Sequence, residues 1–468
     1  MVETDMNMKK YITLFGILLI CTLAQITADL YIPSLIEISE HFGTDLSGGK
    51  FTITIFLFAM AFSQLFWGPL SDHYGRKHAL VAGLVLALCG SILCLFAASL
   101  KILILGRFLQ GLGTGACAGI WRAIFRDLYT GPELARMGSY FSIFCIFAVA
   151  SAPVLGGFLQ CKGTWTACFL FLAIYIAAIA VFVKFGMPET SPSGGVSKKK
   201  TLHAYKELLS SRIFMGNALC AFLTYGAMFS WVTLGAPILI KGFGLNPMQF
   251  GQLAFFTSAS MLVGSLFNAR SVRRFGTKRV LFFGWTVILL SGLFLALVTV
   301  SGRISPLILV FGVMSFYLGS SFIFANTFAE AFAPFGHIAG TASGLYSFFQ
   351  VAGGTFFSAV LAFIPGTSVL PLAIAFMLAA ILAIVSYLVL VDMVQYSSNT
   401  PNGASHAISK SLAYVFSPRQ QRRGSEHVLS EPSPTMSGSR SDSGGDSEHR
   451  CGYPGHARDP SHEEGRGE

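Results

Sequence analysis

Charged side chains are scarce in this chain, since Asp, Glu, Lys and Arg make up only 12% of its 468 residues. Soluble domains carry roughly 25% charged residues, so too few polar side chains are present to cover the surface of a soluble enzyme. The same scarcity, together with 53% hydrophobic residues, excludes a wholly disordered protein, a coiled coil and a secreted disulfide scaffold. What remains is a protein that lies mostly within a membrane.

The usual patterns of catalysis and metal binding are also missing. None of the nine cysteines belongs to a Cys-x-x-Cys pair or lies near a histidine cluster, so the sequence gives no zinc or redox signal. It contains no G-x-S-x-G, no H-E-x-x-H and no P-loop lysine. We therefore expect neither an enzyme nor a bound metal or cofactor.

Long apolar runs are plentiful, and their continuity decides the class of membrane protein. Membrane β-strands alternate apolar and polar residues over roughly ten positions, whereas these runs approach the ~20 residues of a transmembrane helix. The sequence therefore predicts an all-α polytopic membrane protein with twelve transmembrane helices in two six-helix halves. The predicted spans are residues 11–36, 51–70, 79–99, 102–124, 137–160, 166–186, 213–240, 249–269, 279–300, 304–328, 338–362 and 368–391.

A polar break separates the two halves, and a polar tail ends the chain. The break reads Ser-Pro-Ser-Gly-Gly and then carries three consecutive lysines. From Ser397 the composition turns to Ser, Gly, Pro, Arg and Glu, which cannot bury an apolar core. The predicted regions are an N-terminal half at 1–186, a central cytoplasmic loop at 187–212, a C-terminal half at 213–396 and a disordered cytoplasmic tail at 397–468.

Lys and Arg lie mainly on one side of the predicted membrane. With the N-terminus inside, the inner loops hold 18 of them and the outer loops five, and such an excess marks the cytoplasmic side. Both termini are therefore predicted to be cytoplasmic. The formal net charge of +10 belongs to the membrane body, with 24 basic and 13 acidic residues through Tyr396. It predicts contact with anionic lipid and no nucleic-acid partner.

The loop after the second span carries a dense charged motif. Residues 68–77 read Gly-Pro-Leu-Ser-Asp-His-Tyr-Gly-Arg-Lys. The glycines permit a tight reversal between packed helices, and Asp72 can accept hydrogen bonds from Arg76 or from a helix N-terminus. We interpret this motif as a conformational latch formed by Gly68, Asp72, Gly75, Arg76 and Lys77. A plain basic turn is the alternative.

Asp29 and Arg107 are the ionisable residues inside the first-half spans. A charge in hydrocarbon costs at least a few kcal/mol, so such residues usually face a cavity and function there. On the same faces lie Gln25 beside Asp29, and Gln110 and Thr114 beside Arg107. Two facing polar stripes predict a lined cavity. The alternative is a structural buried ion pair.

Several segments resemble one family of membrane proteins. The loop 68–77 is similar to the loop signature of the major facilitator superfamily, and RFLQGLGTG at 107–115 looks like its buried-arginine motif. APVLGG at 152–157 is similar to the motif of drug/proton antiporters. With DLYIPSL at 29–35 and RAIFRDL at 122–128, the chain resembles the Bcr/CflA multidrug exporters.

This resemblance implies a function and a set of site residues. It implies a monomeric, proton-coupled exporter of small, largely apolar compounds such as antibiotics, in a bacterial cytoplasmic membrane, working by alternating access without any cofactor beyond the proton gradient. Asp29 and Arg107 would couple protons, and Pro153, Gly156 and Gly157 would form the antiporter motif. Further candidates for a substrate cavity are Gln25, Tyr31, Gln110, Thr114, Tyr225, Phe229 and Asn326.

Some positions depart from the family pattern. Ala152 stands where antiporters commonly have Gly, and Asp29 has no second acid on its face of the first span. In the second half, Arg273 occupies the place of the acid, which predicts a latch in the first half alone. The alternatives left open are a dedicated metabolite or siderophore transporter and, in another class, a membrane sensor or receptor.

Overall fold

The computed structural model describes residues 2–128, 131–190, 198–335, 338–364 and 366–393. The predicted tail at 397–468 lies outside the described residues. Within them the chain forms fourteen α-helices. They are α1 Val2–Asp29, α2 Leu35–His41, α3 Leu46–Tyr74, α4 Arg76–Leu95, α5 Leu100–Leu128, α6 Gly131–Lys162, α7 Trp165–Gly186, α8 Lys198–Ser210, α9 Arg212–Ala236, α10 Pro247–Phe275, α11 Thr277–Val300, α12 Pro306–Phe332, α13 Ala339–Ala362 and α14 Leu370–Tyr387.

Twelve helical segments in the described part of the chain are long and apolar enough to cross a membrane. The first, Ile12–His41, combines most of α1 with α2. Helices α3 to α7 supply the next five, and α9 to α14 the last six. The prediction of an all-α protein with twelve transmembrane helices in two halves is confirmed.

Local sequence signals explain where several helices begin. Asn246 and Gln249 form a reciprocal capping box at the start of α10, with Pro247 at the first helical position. Such caps satisfy backbone N–H groups that have no partner within the helix. The Ser211 side chain caps α9 and the Ser305 side chain caps α12 in the same way.

The first span is interrupted in its middle. Helix α1 ends at Asp29, and a single 3₁₀ turn, Ile32–Ser34, precedes α2. Its Ser34 N–H bonds the Tyr31 carbonyl at 2.9 Å. Pro33 lacks a backbone N–H and is tolerated only near a helix start, so it favours a new turn at this point. The interruption follows directly after the acidic residue of the span.

The segment predicted as a central loop contains the amphipathic helix α8. Ala204 and Leu208 are buried, while the Tyr205 hydroxyl donates to the Leu65 carbonyl of α3 at 3.4 Å. Burial, and then the Asp72 carboxylate, raise the pKa of Tyr205. The hydroxyl therefore keeps its proton and donates. Helix α8 is thus seated against the end of α3 that carries the latch motif.

Large apolar side chains cover much of the outer surface. Val300, Leu307 and Phe363 are 74–80% exposed. An exposed apolar surface of this extent is unusual on a soluble monomer, and it suits contact with lipid. Polar and small residues are instead collected inside the bundle.

Glycines let the inner helices approach closely. A Cβ at Gly83 would meet Ala116 and the Gly113 carbonyl, which seats α4 against α5. A Cβ at Gly353 would overlap the Phe222 carbonyl, which seats α13 against α9. Small residues at such crossings allow backbones to pack closely within a membrane.

Polar contacts join the two halves at the end predicted to be extracellular. Lys50 is 1% exposed, and its Nζ donates to the Ile364 carbonyl at 3.0 Å. Ser358 of α13 lies 3.0 Å from both the Thr54 hydroxyl and the Thr233 hydroxyl. The Lys50–Ile364 and Thr54–Ser358 bonds cross the interface between the halves and hold this end together, whereas Thr233 and Ser358 belong to the same half.

Candidate functional site

Asp29 lies at the end of α1, directly before the interruption of the first span, and is 7% exposed. Its Oδ2 accepts a hydrogen bond from Gln25 Nε2 at 2.9 Å. Its Oδ1 is buried and has no hydrogen-bond partner. A buried carboxylate oxygen without a partner is costly, and neutralising the carboxylate with a proton lowers that cost.

Gln25 connects this carboxylate to the second half. Its Oε1 lies 3.3 Å from the hydroxyl of Tyr225, which donates to it from α9. The Tyr225 ring packs on Phe229, with ring centroids 4.8 Å apart. The chain Asp29–Gln25–Tyr225, called here the relay, therefore places three predicted site residues in one hydrogen-bonded path between the halves.

Arg107 is fully buried nearby. Its guanidinium lies between two aromatic rings, 4.1 Å from the centroid of Tyr31 and 4.2 Å from that of Phe56. Nη1 donates to the Thr27 carbonyl at 3.2 Å and to Gln110 Oε1. Nε and Nη2 have no hydrogen-bond partner. Stacking on aromatic faces offsets part of the cost of burying this cation.

Asp29 and Arg107 do not form a direct salt bridge within the 4.0 Å limit for such pairs. They are close enough to interact through their charges. Asp29 Oδ1 and Arg107 Nε and Nη2 are buried and have no hydrogen-bond partner among the described residues. The arrangement thus differs from the buried ion pair that was the alternative interpretation.

The remaining predicted cavity residues lie in three places. Gln110 donates to Ser91 at 2.7 Å and Thr114 to its own helix, so both support Arg107 from within the first half. The Tyr31 hydroxyl pairs with Thr52 at 3.0 Å. Asn326 donates to Asn268 at 2.9 Å, inside the second half and apart from the relay.

The predicted antiporter motif touches both halves. A Cβ at Gly156 would overlap the carbonyl oxygen of Leu30, the residue that follows Asp29. A Cβ at Gly157 would overlap the Pro247 carbonyl at the start of α10. Pro153 presents its own carbonyl to Gly251 of α10. Helix α6 thus packs against the interrupted first span and against the second half.

The latch residues come together at the end of the first half that is predicted to be cytoplasmic. Arg76 pairs with Asp72, bonds the Ser71 hydroxyl at 2.7 Å and reaches Asp127 at 3.4 Å. Gly75 separates α3 from α4 with a φ of 96°, a backbone conformation that residues other than Gly rarely adopt. A Cβ added at Gly68 would have no neighbouring atom within 4 Å. Lys77 contributes its backbone N–H, which donates to the Glu189 carboxylate.

Glu189 completes the latch, and the sequence interpretation missed it. Its carboxylate accepts from the backbone N–H of Arg76 at 2.8 Å and of Lys77 at 3.2 Å. A carboxylate at a helix N-terminus is favoured because the first N–H groups lack partners. The available signal was an acidic residue just after the sixth predicted span, on the side of the membrane where basic residues predominate.

An ion pair also lies at the corresponding end of the second half, where the sequence predicted no counterpart of the latch motif. Lys278 Nζ lies 2.6 Å from Asp392 Oδ1. Lys278 is the second residue of α11, after Gly276 with a φ of 80°. Its acid lies at the end of the last span, much as Glu189 follows the sixth. Arg273 occupies the sequence position that Asp72 has in the first half. The ion pair of the second half instead uses Asp392, at the end of the last span.

Comparison with known proteins establishes the family. A sequence model described as Major Facilitator Superfamily matches residues 17–358. The chain belongs to this superfamily. Its members are transporters, so this superfamily protein is a multi-pass membrane transporter of small molecules and not an enzyme.

Relatives refine the placement within the superfamily. A Bicyclomycin resistance protein homolog of Haemophilus influenzae is 26% identical over 82% of this chain and 97% of its own length. Multidrug resistance protein D of Escherichia coli is 25% identical over 76% and 89%. The resemblance to Bcr/CflA exporters is confirmed. The xylose transporter XylE of E. coli matches the fold with a TM-score of 0.60 at 13% identity, over 79% of this chain and 96% of its own.

The latch gives a first testable prediction. Arg76→Ala should slow transport about tenfold and change substrate affinity less than about threefold, because its partners lie at the rim, away from the relay. Glu189→Gln should act in the same direction, since it weakens the charge at the α4 N-terminus. Transport and binding are measured on the same purified protein. The control is Lys101→Ala, because Lys101 is an exposed cation at the start of α5. This variant should change neither the transport rate nor the substrate affinity. A collapse of affinity in the Arg76 variant would contradict the assignment.

Proposed function

We propose that this protein is a proton-coupled exporter of small, largely apolar compounds, antibiotics among them, that works by alternating access. The observation that carries the proposal is the relay, in which Asp29, the one buried carboxylate among the described side chains of the first half, is hydrogen-bonded to the second half through Gln25. Similarity to a bicyclomycin resistance homolog and to a multidrug resistance protein supports export of antibiotics.

The relay offers a way to link a proton to movement of the halves. An ionised Asp29 can only accept, so Gln25 turns its Nε2 toward it and its Oε1 toward Tyr225. A proton on Oδ2 turns that oxygen into a donor, and Gln25 then has to turn its own oxygen toward it, whereas a proton on Oδ1 leaves this bond as it is. In the first case the Gln25 amide nitrogen faces Tyr225, and the bond between the halves reverses or breaks. Protonation would thereby change the stability of one orientation relative to the other.

Other parts of the molecule support the same cycle. Rocking of one half against the other needs contacts that close each end in turn. Lys50 and Ser358 hold the outer end, while the latch and α8 lie at the inner end. We further propose a monomer in a bacterial cytoplasmic membrane, with both termini in the cytoplasm and no cofactor beyond the proton gradient.

Inverted membrane vesicles test this function directly. With an acidic lumen, vesicles that contain the protein should accumulate bicyclomycin at least about threefold above vesicles without it, and nigericin should abolish the difference by collapsing the pH gradient. The expected direction follows because export from the cell becomes uptake into an inverted vesicle. Equal accumulation of bicyclomycin with and without the pH gradient would contradict proton coupling. A panel in which only a single metabolite or siderophore moves would favour a dedicated transporter instead.

A further inference from the structure

A second arginine lies between the halves, nearer the inner end than the relay. Arg122 of α5 is half-buried, and its Nη1 donates to the Ala118 carbonyl at 3.2 Å and to Ser347 of α13 at 3.3 Å. Its guanidinium also lies 4.8 Å from the ring centroid of Trp121. Arg122 therefore faces the interface between the halves rather than lipid.

The charge of Arg122 has no counter-ion among the described residues. The groups near enough to feel its charge are the Tyr225 and Tyr346 hydroxyls and the Cys21 and Cys145 thiols. All four are neutral in their ordinary protonation states. Tyr225 is also the end of the relay, and both Arg122 and Asp29 lie near enough to act on this one tyrosine through their charges. Arg122 therefore lies on the inner side of the relay, at the interface between the halves.

Positive charge exceeds negative charge at the interface between the halves. Arg122, Arg107 and Lys50 are cations in or beside the interface, whereas Asp29 is the one carboxylate there among the described residues. Glu330 is set apart, because it accepts from Tyr387 within the second half at 3.2 Å. Once Asp29 takes up a proton, the charged groups described at this interface are all cations.

We propose that Arg122 makes the substrate path selective for neutral and anionic compounds over permanent cations of the same size. This inference rests on the proposed export function and names its substrate class. A partly buried charge is screened less than an exposed one, so it repels a like charge and attracts an opposite one. The hydrogen bond to Ser347 fixes the guanidinium in the path without neutralising it.

A pair of ions with one shape and opposite charge tests the proposal. Tetraphenylphosphonium and tetraphenylborate differ mainly in the sign of their charge, and their binding to purified full-length protein is measured by calorimetry. The wild type should bind the borate at least about tenfold more tightly. Arg122→Gln should reduce this ratio to within about threefold, and Arg122→Lys should retain most of it because the charge stays.

Ser347→Ala separates charge from architecture. This variant removes the acceptor on α13 but keeps the cation, so the ratio of the two affinities should stay near that of the wild type. The proposal is overturned if the wild type binds the phosphonium ion more tightly than the borate. It is also overturned if Ser347→Ala alters the ratio of affinities as much as Arg122→Gln does, or if Arg122→Gln weakens the binding of both ions equally. Size-exclusion profiles confirm that each variant is folded.

Bicyclomycin uptake into inverted vesicles distinguishes the failure of this inference from that of the proposed function. If the wild type transports bicyclomycin with the gradient and shows no charge preference, the selectivity role of Arg122 is wrong and export stands. If the wild type shows no gradient-driven uptake of any probe, the export function itself is wrong, and so is the substrate class that rests on it.

Discussion

Asp29→Asn should abolish gradient-driven accumulation of substrate, with a loss of at least about 100-fold in initial rate. Asparagine has nearly the same size and can still accept from Gln25, but it cannot take up a proton. The proton could then no longer change the bond between Gln25 and Tyr225, while substrate binding and folding should persist. The measurement is vesicle uptake with and without a pH gradient, together with exchange of labelled for unlabelled substrate at equal pH.

Exchange makes this test specific for coupling. The Asp29→Asn variant should exchange substrate at a rate within about threefold of the wild type, since exchange needs the change of orientation but no net proton movement. Asp45→Asn is the matched control, because Asp45 is an exposed residue whose side chain makes no capping hydrogen bond. It should leave both rates unchanged. If the Asp29→Asn variant accumulates substrate with the gradient as fully as the wild type, Asp29 does not couple protons to transport.

The number and class of helices could be predicted because they follow from composition. A run of about 20 apolar residues has few stable structures in a membrane other than a helix. Asp29 and Arg107 could be singled out for the same reason, since an ionisable residue in an apolar run is costly unless it has a role. Both statements need only the local sequence and the properties of the bilayer.

The partners within the site could not be predicted from local sequence. Gln25 and Tyr225 were each candidates, but their contact joins residues 200 positions apart and depends on how the two halves face each other. Facing polar stripes predicted a lined cavity, with an Asp29–Arg107 ion pair as the alternative, whereas the structure gives each residue its own hydrogen-bond partners. Helical periodicity tells which residues share a face, and it does not tell which face of another helix lies opposite.

The latch illustrates the same limit at the ends of the helices. Asp72 and Arg76 are four residues apart, so the sequence brings them together. Glu189 reaches Arg76 across 113 positions, and Asp392 reaches Lys278 across 114. These nearly equal separations reflect the repeat of six helices in each half. A comparison of the two halves by the position of acids at the ends of the sixth and twelfth spans would have found both.

Gly156 has the second large expected effect. Gly156→Ala should lower the transport rate at least about tenfold, because the added Cβ would overlap the Leu30 carbonyl oxygen. That carbonyl is backbone and belongs to the interruption of the first span directly after Asp29, so it cannot rotate away as a side chain would. Helix α6 must shift instead, and overpacking of this kind costs about 1–3 kcal/mol. The shift would misplace Asp29 relative to Gln25. Transport rate and thermal stability are measured together.

Gly119→Ala on α5 is the matched control. No atom outside the local helix lies within 4 Å of the Cβ that it would add. Alanine also favours a helix over glycine by up to about 1 kcal/mol. The Gly119 variant should therefore be as stable as the wild type or more so, with an unchanged transport rate. If Gly156→Ala lowers the melting temperature but transports at the normal rate, close contact between α6 and the interrupted span matters for folding alone. If it transports slowly at unchanged stability, the contact acts on the position of Asp29.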